Sequence, residues 1–189
     1  MEQEAFDLLE KNPIIAAVKD EEGMQKACQE ENIQIIFLLF GDICTLPELT
    51  GRIAAAGKVA VVHLDLVTGL ATKEIAVDFV QKQTKASGII STKPALVKRA
   101  KELGMLAVLR IFLVDSMALS SMERQMVQAK PDVIEILPGV MPKIIGRVSR
   151  EAKVPVIAGG MILDREDVMA ALKAGALCVS TTCEAIWEM

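Results

Sequence analysis

Eight short apolar segments recur along the chain, and their spacing is the feature that most restricts the fold. They are rich in β-branched residues, and longer amphipathic stretches separate them. They begin roughly every 23 residues, which is the length of one strand, one helix and two short loops. The spacing therefore predicts eight strands that alternate with helices, at Ile14–Val18, Ile35–Leu39, Val59–Leu64, Gly88–Ser91, Leu106–Phe112, Asp132–Leu137, Val154–Ala158 and Ala176–Ser180.

Most of these segments are continuously apolar, as the strands of a parallel sheet are when helices cover both faces. Eight such units without a linker favour a closed barrel over an open doubly wound sheet, and no G-x-G-x-x-G follows the first predicted strand. We therefore predict that residues 1–189 form a single (β/α)8, or TIM, barrel. A chain of 189 residues is slightly shorter than the usual ~200–250, so the loops must be short. Only Cys183–Met189 follow the eighth strand, which predicts a truncated last helix.

The intervening stretches carry helix patterns and helix ends. Glu74–Lys85 predicts a helix whose apolar stripe is formed by Ile75, Ala76, Phe79 and Val80. Asp164 is a candidate N-cap, and Gly175 is the matching candidate C-cap. Gly57 and Gly104 also stand where helices should end.

Composition excludes several classes of protein. Hydrophobic residues make up 52% of the chain and charged residues 24%, which is too apolar for disorder and too charged for a membrane protein. The longest apolar runs, such as Ile33–Phe40, fall far below the ~20 residues of a membrane helix. The stretch Met1–Leu9 is acidic and mixed, so we expect no secretory signal. The four cysteines form no C-x-x-C pair and His63 is the single histidine, so we expect no metal site and no disulfide. We expect a cytoplasmic protein that does not associate with membranes.

The ends of the seventh and eighth strands carry residues that suit a phosphate. Gly159 and Gly160 close the seventh strand, and Ser180, Thr181 and Thr182 close the eighth before a short helix. Backbone N–H groups without an obstructing Cβ, together with hydroxyls at a helix start, can bind phosphate, and these two loops commonly do so in (β/α)8 barrels. We predict a phosphate site here. The alternative is a tight glycine turn followed by a hydroxyl cap, with no ligand.

His63 and Asp65 lie two residues apart at the end of the third strand, so their side chains share one face near the barrel mouth. Such a pair can act as general acid and base, or it can bind the hydroxyl groups of a ligand. A lone histidine can equally be a hydrogen-bonded structural residue. The sequence leaves these three roles open.

Five further charged residues stand singly in or after strands. Lys19 follows the first strand, Lys93 the fourth and Asp115 the fifth, while Arg110 lies within the fifth strand and Glu135 within the sixth. A charge inside an apolar strand needs a partner, so Arg110 and Glu135 on neighbouring strands are candidates to pair with each other. Lys93 opens a helix and is a candidate anion contact. A Schiff base at either lysine is the enzymatic alternative.

Charge is unevenly distributed along the chain. Residues 1–80 contain 6 Lys and Arg against 14 Asp and Glu (net −8), residues 81–153 contain 13 against 6 (net +7), and residues 154–189 contain 2 against 5 (net −3). A basic side on an acidic protein is typical of a polyanionic partner, and lysine-rich solvated helix faces are the alternative. The candidate contacts in the basic part are Lys98, Arg99, Lys101, Lys143, Arg147, Arg150 and Lys153.

Six longer motifs occur in strand-end order over nearly the whole chain. They are His63-Leu-Asp-Leu-Val-Thr-Gly-Leu70, Gly88-Ile-Ile-Ser-Thr-Lys-Pro94, Arg110-Ile-Phe-Leu-Val-Asp-Ser116, Asp132-Val-Ile-Glu-Ile-Leu-Pro-Gly-Val-Met-Pro142, Pro155-Val-Ile-Ala-Gly-Gly-Met-Ile162 and Val179-Ser-Thr-Thr182. One such motif carries little information, whereas the series and its order are specific. In this series the chain resembles the glycerol uptake operon antiterminator regulatory proteins, a glycerol-3-phosphate-responsive family.

The resemblance implies a barrel that senses glycerol 3-phosphate as an effector, without a cofactor, and acts on the leader mRNA of glycerol metabolism. RNA binding would prevent a terminator from forming, and the basic residues of the region 81–153 would contact the RNA. The phosphate would be held by Gly159, Gly160, Ser180 and Thr181. The expected contacts to the glycerol hydroxyls are His63, Asp65, Lys19 and Glu135, with Lys93 and Arg110 as further candidates.

Two other functions stay open at this point. Barrels with such a phosphate site are usually enzymes, so an isomerase or aldolase-type lyase acting on a small phosphorylated metabolite is the first. A metabolite-binding protein whose partner is another protein is the second. Aromatic residues for base stacking make up only 3% of the chain, and no named RNA-binding module is present. A homo-oligomer is compatible with the sequence, which does not determine the oligomeric state.

Overall fold

A computed structural model of the chain describes residues 2–189, with side chains from residue 7 onward. Its eight strands pair in sequence order and in parallel, and β8 (Cys178–Thr181) pairs with β1 (Ile14–Val18) to close the barrel. The predicted (β/α)8 fold is confirmed. The remaining strands are β2 Ile35–Leu38, β3 Val59–His63, β4 Gly88–Ser91, β5 Leu106–Phe112, β6 Val133–Leu137 and β7 Val156–Gly159.

The last two strands begin and end later than the sequence indicated. β7 starts at Val156 rather than Val154, and β8 starts at Cys178 rather than Ala176. Pro155 has no N–H to donate to the ladder, and the Ala176 N–H instead donates to the Ala171 carbonyl in the turn that ends the preceding helix. As a result Gly159 and Thr181 are the last residues of their strands, one residue beyond the predicted ends at Ala158 and Ser180.

A helix follows each strand, and one further helix precedes β1. The last helix is short, as predicted, whereas the first was not predicted at all. None of the helices in residues 2–189 is both long and apolar enough to cross a membrane. The helices are α1 Glu2–Lys11, α2 Glu21–Gln29, α3 Leu46–Ala55, α4 Glu74–Gln83, α5 Pro94–Glu102, α6 Ser116–Ala129, α7 Pro142–Glu151, α8 Arg165–Lys173 and α9 Glu184–Trp187.

The predicted helix ends are confirmed, and one predicted helix face is wrong in part. The Asp164 side chain accepts a hydrogen bond from the Asp167 N–H at the start of α8, and Gly175 follows that helix with a φ of +109°. On α4, Ala76 and Val80 are buried, but Ile75 is 67% exposed. Val77 takes the place assigned to Ile75, because the buried face of this helix is rotated by part of a turn.

The strands separate two apolar layers, because successive side chains of a strand point to opposite faces. One layer lies between the strands and the helices; it contains Ala16 and Ile36 together with helical residues such as Ile53. The other layer fills the barrel interior and includes Ile15 and Phe37. The interior is therefore a packed core rather than a channel.

Helix α1 closes the end of the barrel at which the strands begin. Its Leu9 is 1% exposed and belongs to the interior cluster with Ile15 and Cys178. The Leu9 carbonyl also accepts a hydrogen bond from the Cys178 Sγ at 3.1 Å. This end is apolar and covered, so we expect a ligand site at the opposite end, where the strands finish and the loops to the helices begin.

Candidate functional site

Five of the predicted residues meet at the carboxyl end of the barrel interior. His63 ends β3, Arg110 lies in β5 and Glu135 in β6, while Gly159 and Ser180 are partners in the register of β7 and β8. The titratable side chains are buried: His63 is 3%, Arg110 8% and Glu135 0% exposed. These residues form a polar cluster, hereafter the mouth cluster, on top of an otherwise apolar interior.

Glu135 is the centre of the mouth cluster. One carboxylate oxygen accepts a hydrogen bond from the Nε of Arg110, and the other accepts one from the hydroxyl of Ser180. The predicted pairing of Arg110 with Glu135 is confirmed, and the two residues are also direct neighbours in the register of β5 and β6. Ser180 therefore donates its hydroxyl proton inward, to Glu135.

Gly159 is a glycine because the mouth cluster leaves no room for a side chain. A Cβ at this position would lie 2.6 Å from the Glu135 Oε1 and 2.6 Å from the Ser180 Oγ, far inside contact distance. The residue that the sequence analysis assigned to phosphate binding thus admits the hydrogen bond between Glu135 and Ser180. This requirement was invisible in the sequence, because it depends on two side chains from other strands.

His63 is buried in the mouth cluster without a full set of partners. Its Nδ1 makes no hydrogen bond with any residue that the structure describes. Burial, reinforced by the positive charge of Arg110, lowers the pKa of His63 to about 4. The imidazole is therefore neutral at pH 7, with one nitrogen able to donate and the other able to accept a hydrogen bond.

The Asp65 carboxylate forms hydrogen bonds with residues at the end of the neighbouring strand and not with His63. Its carboxylate accepts hydrogen bonds from the Ser91 hydroxyl at 2.8 Å and from the Thr92 N–H and hydroxyl at 2.7 and 3.0 Å. It thereby ties the loop after β3 to the end of β4. Ser91 and Thr92 were not among the predicted site residues, although the sequence signal was present as a pair of hydroxyl residues directly before Lys93.

The loops after β7 and β8 are tied together by Thr181. Its hydroxyl donates to the Ile162 carbonyl at 2.7 Å and accepts from the Cys183 N–H at 3.0 Å, and the residue is buried. Gly160 has a φ of +75°, in the left-handed region that glycine adopts without strain. Thr182, which follows Thr181, is exposed at the mouth.

Two lysines stand at the rim of the mouth. Lys19 follows β1, and Lys93 follows β4 as the N-cap of α5; both are exposed. The backbone N–H of Lys93 donates a hydrogen bond to the Ser91 hydroxyl at 3.0 Å. Because both side chains are exposed, neither amine is enclosed in an apolar pocket of the kind that activates a lysine nucleophile.

The predicted basic side of the barrel is divided and partly neutralised. Lys98, Arg99 and Lys101 lie on α5, whereas Lys143, Arg147 and Arg150 lie on α7. Helix α6 lies between α5 and α7 in the ring and separates the two groups, of which Lys101 and Arg147 line a common groove beside α6. Several of these charges are paired: Arg99 with Asp78 at 2.6 Å, Lys101 with Asp132 at 3.0 Å, Lys98 with Glu102 at 3.8 Å and Arg147 with Glu151 at 3.0 Å.

The fold and the site together define a compact (β/α)8 barrel with a buried charged cluster at its carboxyl-end mouth. Comparison with known proteins identifies the family. Residues 14–187 match the model of the glycerol-3-phosphate responsive antiterminators, and the chain belongs to this family. The resemblance that the sequence motifs carried is confirmed.

Individual relatives agree with this assignment. The chain is 43% identical over 182 residues to the uncharacterized protein YgcP of Escherichia coli K12, which covers 96% of this chain and 95% of that protein. The crystal structure of a glycerol uptake operon antiterminator regulatory protein from Listeria monocytogenes is similar with a TM-score of 0.89 and 33% identity, over 93% of this chain and 94% of that one. A glycerol uptake operon antiterminator-related protein from Thermotoga maritima gives 0.84 and 34%, over 94% and 99% of the two chains.

Proposed function

We propose that this chain is a cytoplasmic sensor of glycerol 3-phosphate that binds the leader of glycerol-metabolism mRNA and prevents transcription termination there. The observation that carries the proposal is the mouth cluster. It places a buried ion pair, bonded through Glu135 to Ser180 of β8, and a histidine with an unpaired Nδ1 at the carboxyl end of the barrel, in a chain of the antiterminator family. Membership of a regulatory family supports the regulatory role, and the cluster supports a small polar effector.

The phosphate of the effector would bind at the loops after β7 and β8. A phosphate monoester carries a charge of about −1.5 to −2 at pH 7 and accepts several hydrogen bonds. The backbone of Gly160 and the N–H and hydroxyl of Thr182 are the groups that remain for it, because the side chains of Ser180 and Thr181 are engaged inside the protein. Gly159 would contribute by shaping this corner rather than by direct approach.

Lys19 and Lys93 would add long-range attraction for the phosphate from the rim. Each is exposed, so each would act mainly as a point charge that raises the local concentration of an anion. Their contribution should decrease as the salt concentration rises, because exposed charges are screened.

The glycerol hydroxyls would contact His63 and Arg110. The neutral imidazole can accept from one hydroxyl and donate to another, and the guanidinium has donors beyond the Nε that Glu135 occupies. Glu135 would act through Arg110, since both of its oxygens already accept hydrogen bonds. Asp65 would fix the loop beside His63 through Ser91 and Thr92.

We propose further that the effector leaves the protein chemically unchanged. An isomerase or lyase would need an acid–base pair or an activated lysine at the mouth. The Asp65 carboxylate accepts hydrogen bonds from Ser91 and Thr92. Both oxygens of Glu135 accept hydrogen bonds, from Arg110 and Ser180. Lys19 and Lys93 are exposed. These features favour binding without turnover.

In vitro transcription tests the proposed function. The template carries the leader and terminator of a glycerol-utilisation gene from the organism that encodes this chain, and readthrough is measured against the concentration of glycerol 3-phosphate. We expect protein-dependent readthrough that rises saturably with glycerol 3-phosphate and does not respond to glycerol or inorganic phosphate alone. Readthrough that is the same with and without the protein would contradict the proposal.

The same assay also tests the mouth cluster. A double variant, Arg110→Met with Glu135→Leu, replaces the buried ion pair by apolar side chains and should fold, because such replacements are often neutral for stability. It should lose the response to glycerol 3-phosphate. Full response in this variant would remove the mouth cluster from the mechanism.

A further inference from the structure

A groove opens on the side of the barrel between α6 and α7, away from the mouth. It encloses about 860 Å³. Its apolar lining, hereafter the floor, is formed by Leu119, Met122, Met126, Val127, Pro131 and Val154. Val127 is 70% exposed within it. Neither the fold nor the effector site requires an exposed apolar side chain at this place.

The rim of the groove is charged, with an excess of positive charge. Lys101, Lys130, Arg147 and Lys153 line it, against Glu123 and Glu151. Arg147 pairs with Glu151 at 3.0 Å, and Lys101 with Asp132. Lys130 and Lys153 are exposed and form no ion pair with any residue in the described part of the chain.

We infer that this groove binds a single-stranded segment of RNA. Lysine and arginine at the rim pair with phosphates, while unstacked bases lie on the apolar floor and give up water-exposed surface. The two glutamates can accept hydrogen bonds from the N–H groups on the Watson–Crick edges of bases, which are free in single-stranded RNA and paired in a duplex. An apolar floor between basic walls suits this ligand, since it offers separate places for the bases and for the backbone.

The charge of the rim disfavours a second copy of this chain as the occupant. A symmetric dimer through this groove would bring the same surface of both copies together. Lys130 and Lys153 of each copy would then face the same positive rim, and juxtaposed like charges oppose association. A polyanion instead gains from every unpaired lysine.

The walls of the groove are connected to the mouth cluster through the chain itself. Helix α6 follows β5, which carries Arg110, and α7 follows β6, which carries Glu135. Asp115 fixes the start of α6 by accepting a hydrogen bond from the Ala118 N–H at 2.8 Å. An effector that contacts the ion pair therefore acts on the two strands that position the groove. This inference rests on the proposed function, because it presumes that RNA is the partner.

The test uses RNA enriched on the wild-type chain from a random-sequence pool in the presence of glycerol 3-phosphate. The groove variant is Lys130→Gln with Lys153→Gln, and the matched control, Lys82→Gln with Lys85→Gln, changes net charge equally on exposed positions at the end of α4 and just beyond it. We expect the groove variant to raise Kd about tenfold and to reduce the salt slope of binding by about 1.4, since each phosphate contact of a single strand contributes roughly 0.7. The control should change neither.

A second variant tests the floor. Val127→Ser removes apolar contact from an exposed position and should leave the fold intact. It should raise Kd without changing the salt slope, because base contacts release no counterions. A change in slope with Val127→Ser would contradict the assignment of bases to the floor.

The outcomes separate the inference from the proposed function. If the wild-type chain enriches RNA and the groove and control variants bind it equally well, the groove is wrong and the RNA-binding function stands. If the wild-type chain binds glycerol 3-phosphate but enriches no RNA, the proposed function fails and the inference fails with it. If light scattering shows an oligomer that the Lys130→Gln and Lys153→Gln changes stabilise, the groove is a subunit interface and the inference is overturned.

Discussion

The two ends of this barrel are built from the same strands but differ in what they bury. At the end where the strands begin, Leu9 of α1 packs on Ile15 and Cys178 in an apolar cluster. At the end where the strands finish, Arg110 and Glu135 are buried as an ion pair. Apolar burial stabilises the fold by roughly 25 cal/mol per Å², so the covered end has an evident role in stability.

The mouth has no such role, because buried ion pairs rarely stabilise a protein. The desolvation of two charges offsets most of their attraction, and apolar replacements of similar volume are often neutral or stabilising by about 1–4 kcal/mol. Arg110 and Glu135 therefore need another reason to be present. One end of the interior therefore maintains the fold, and the other end is where we propose that the effector binds.

The largest effect should come from breaking the ion pair on one side only. Glu135→Gln leaves the Arg110 guanidinium buried without a counter-charge, which should lower the free energy of unfolding by about 3–5 kcal/mol. Urea unfolding at pH 7 measures this change. The double variant Arg110→Met with Glu135→Leu should recover part of this loss and stay about 1–3 kcal/mol below wild type, because the buried Ser180 hydroxyl loses its acceptor, while glycerol 3-phosphate binding is lost. A double variant as unstable as Glu135→Gln would give the ion pair a structural role.

A substitution at the covered end should do the opposite. Leu9→Ala removes a side chain that is 1% exposed and should lower the free energy of unfolding by about 2–5 kcal/mol. The Kd for glycerol 3-phosphate of the folded variant should not change, because Leu9 lies at the other end of the barrel. Calorimetric titration below the unfolding transition checks this, and a Kd that rises with the loss of stability would show that the two ends are not independent.

The burial of His63 at the mouth should make the stability of the protein depend on pH. Its pKa is about 4 in the folded protein and about 6.5 when unfolded, so the unfolded chain binds the proton more tightly. Stability from this residue is therefore fully present above about pH 6.5 and decreases as the pH falls towards 4, by up to about 3 kcal/mol. His63→Gln should flatten this part of the stability–pH profile. A profile between pH 7 and 4 that is identical in wild type and variant would contradict the buried neutral imidazole.

The smallest of these effects should appear at Gly159. Gly159→Ala places a Cβ 2.6 Å from the Glu135 Oε1 and the Ser180 Oγ, so the carboxylate or the hydroxyl must shift. We expect a loss of about 1–3 kcal/mol in stability and weaker effector binding. Gly51→Ala is the matched control, because a Cβ there meets nothing within 4 Å and the helix gains a better helix former. Equal stability losses in both variants would remove the steric argument.

Much of the fold follows from local sequence. The eight strands were predicted because a covered parallel sheet needs continuous apolar runs, and the ends of α8 followed from Asp164 and Gly175. Helix α1 was missed because an acidic stretch outside the repeating units gave no signal for an element that closes the barrel. Ile75 was placed on the wrong face of α4 because a stripe of apolar residues does not fix the exact rotation of a helix.

The sequence predicted which residues come together at the mouth better than it predicted the contacts that they make there. The pairing of Arg110 with Glu135 was correct because neighbouring parallel strands bring equivalent positions together. The inward hydroxyl of Ser180 and the steric need for Gly159 were not predictable, since both depend on side chains brought in from other strands. The groove between α6 and α7 was also missed, because Lys130 and Val127 become neighbours of Lys153 only through packing.

The central claim is that the mouth cluster binds glycerol 3-phosphate without converting it. A phosphorus NMR titration of glycerol 3-phosphate with the wild-type chain, followed over hours and repeated with the Arg110→Met and Glu135→Leu double variant, tests it directly. The account predicts a saturable shift or broadening with the wild type, an unchanged compound, and no response with the double variant. A resonance that the wild type does not perturb, or the growth of a new phosphorus signal, would contradict it.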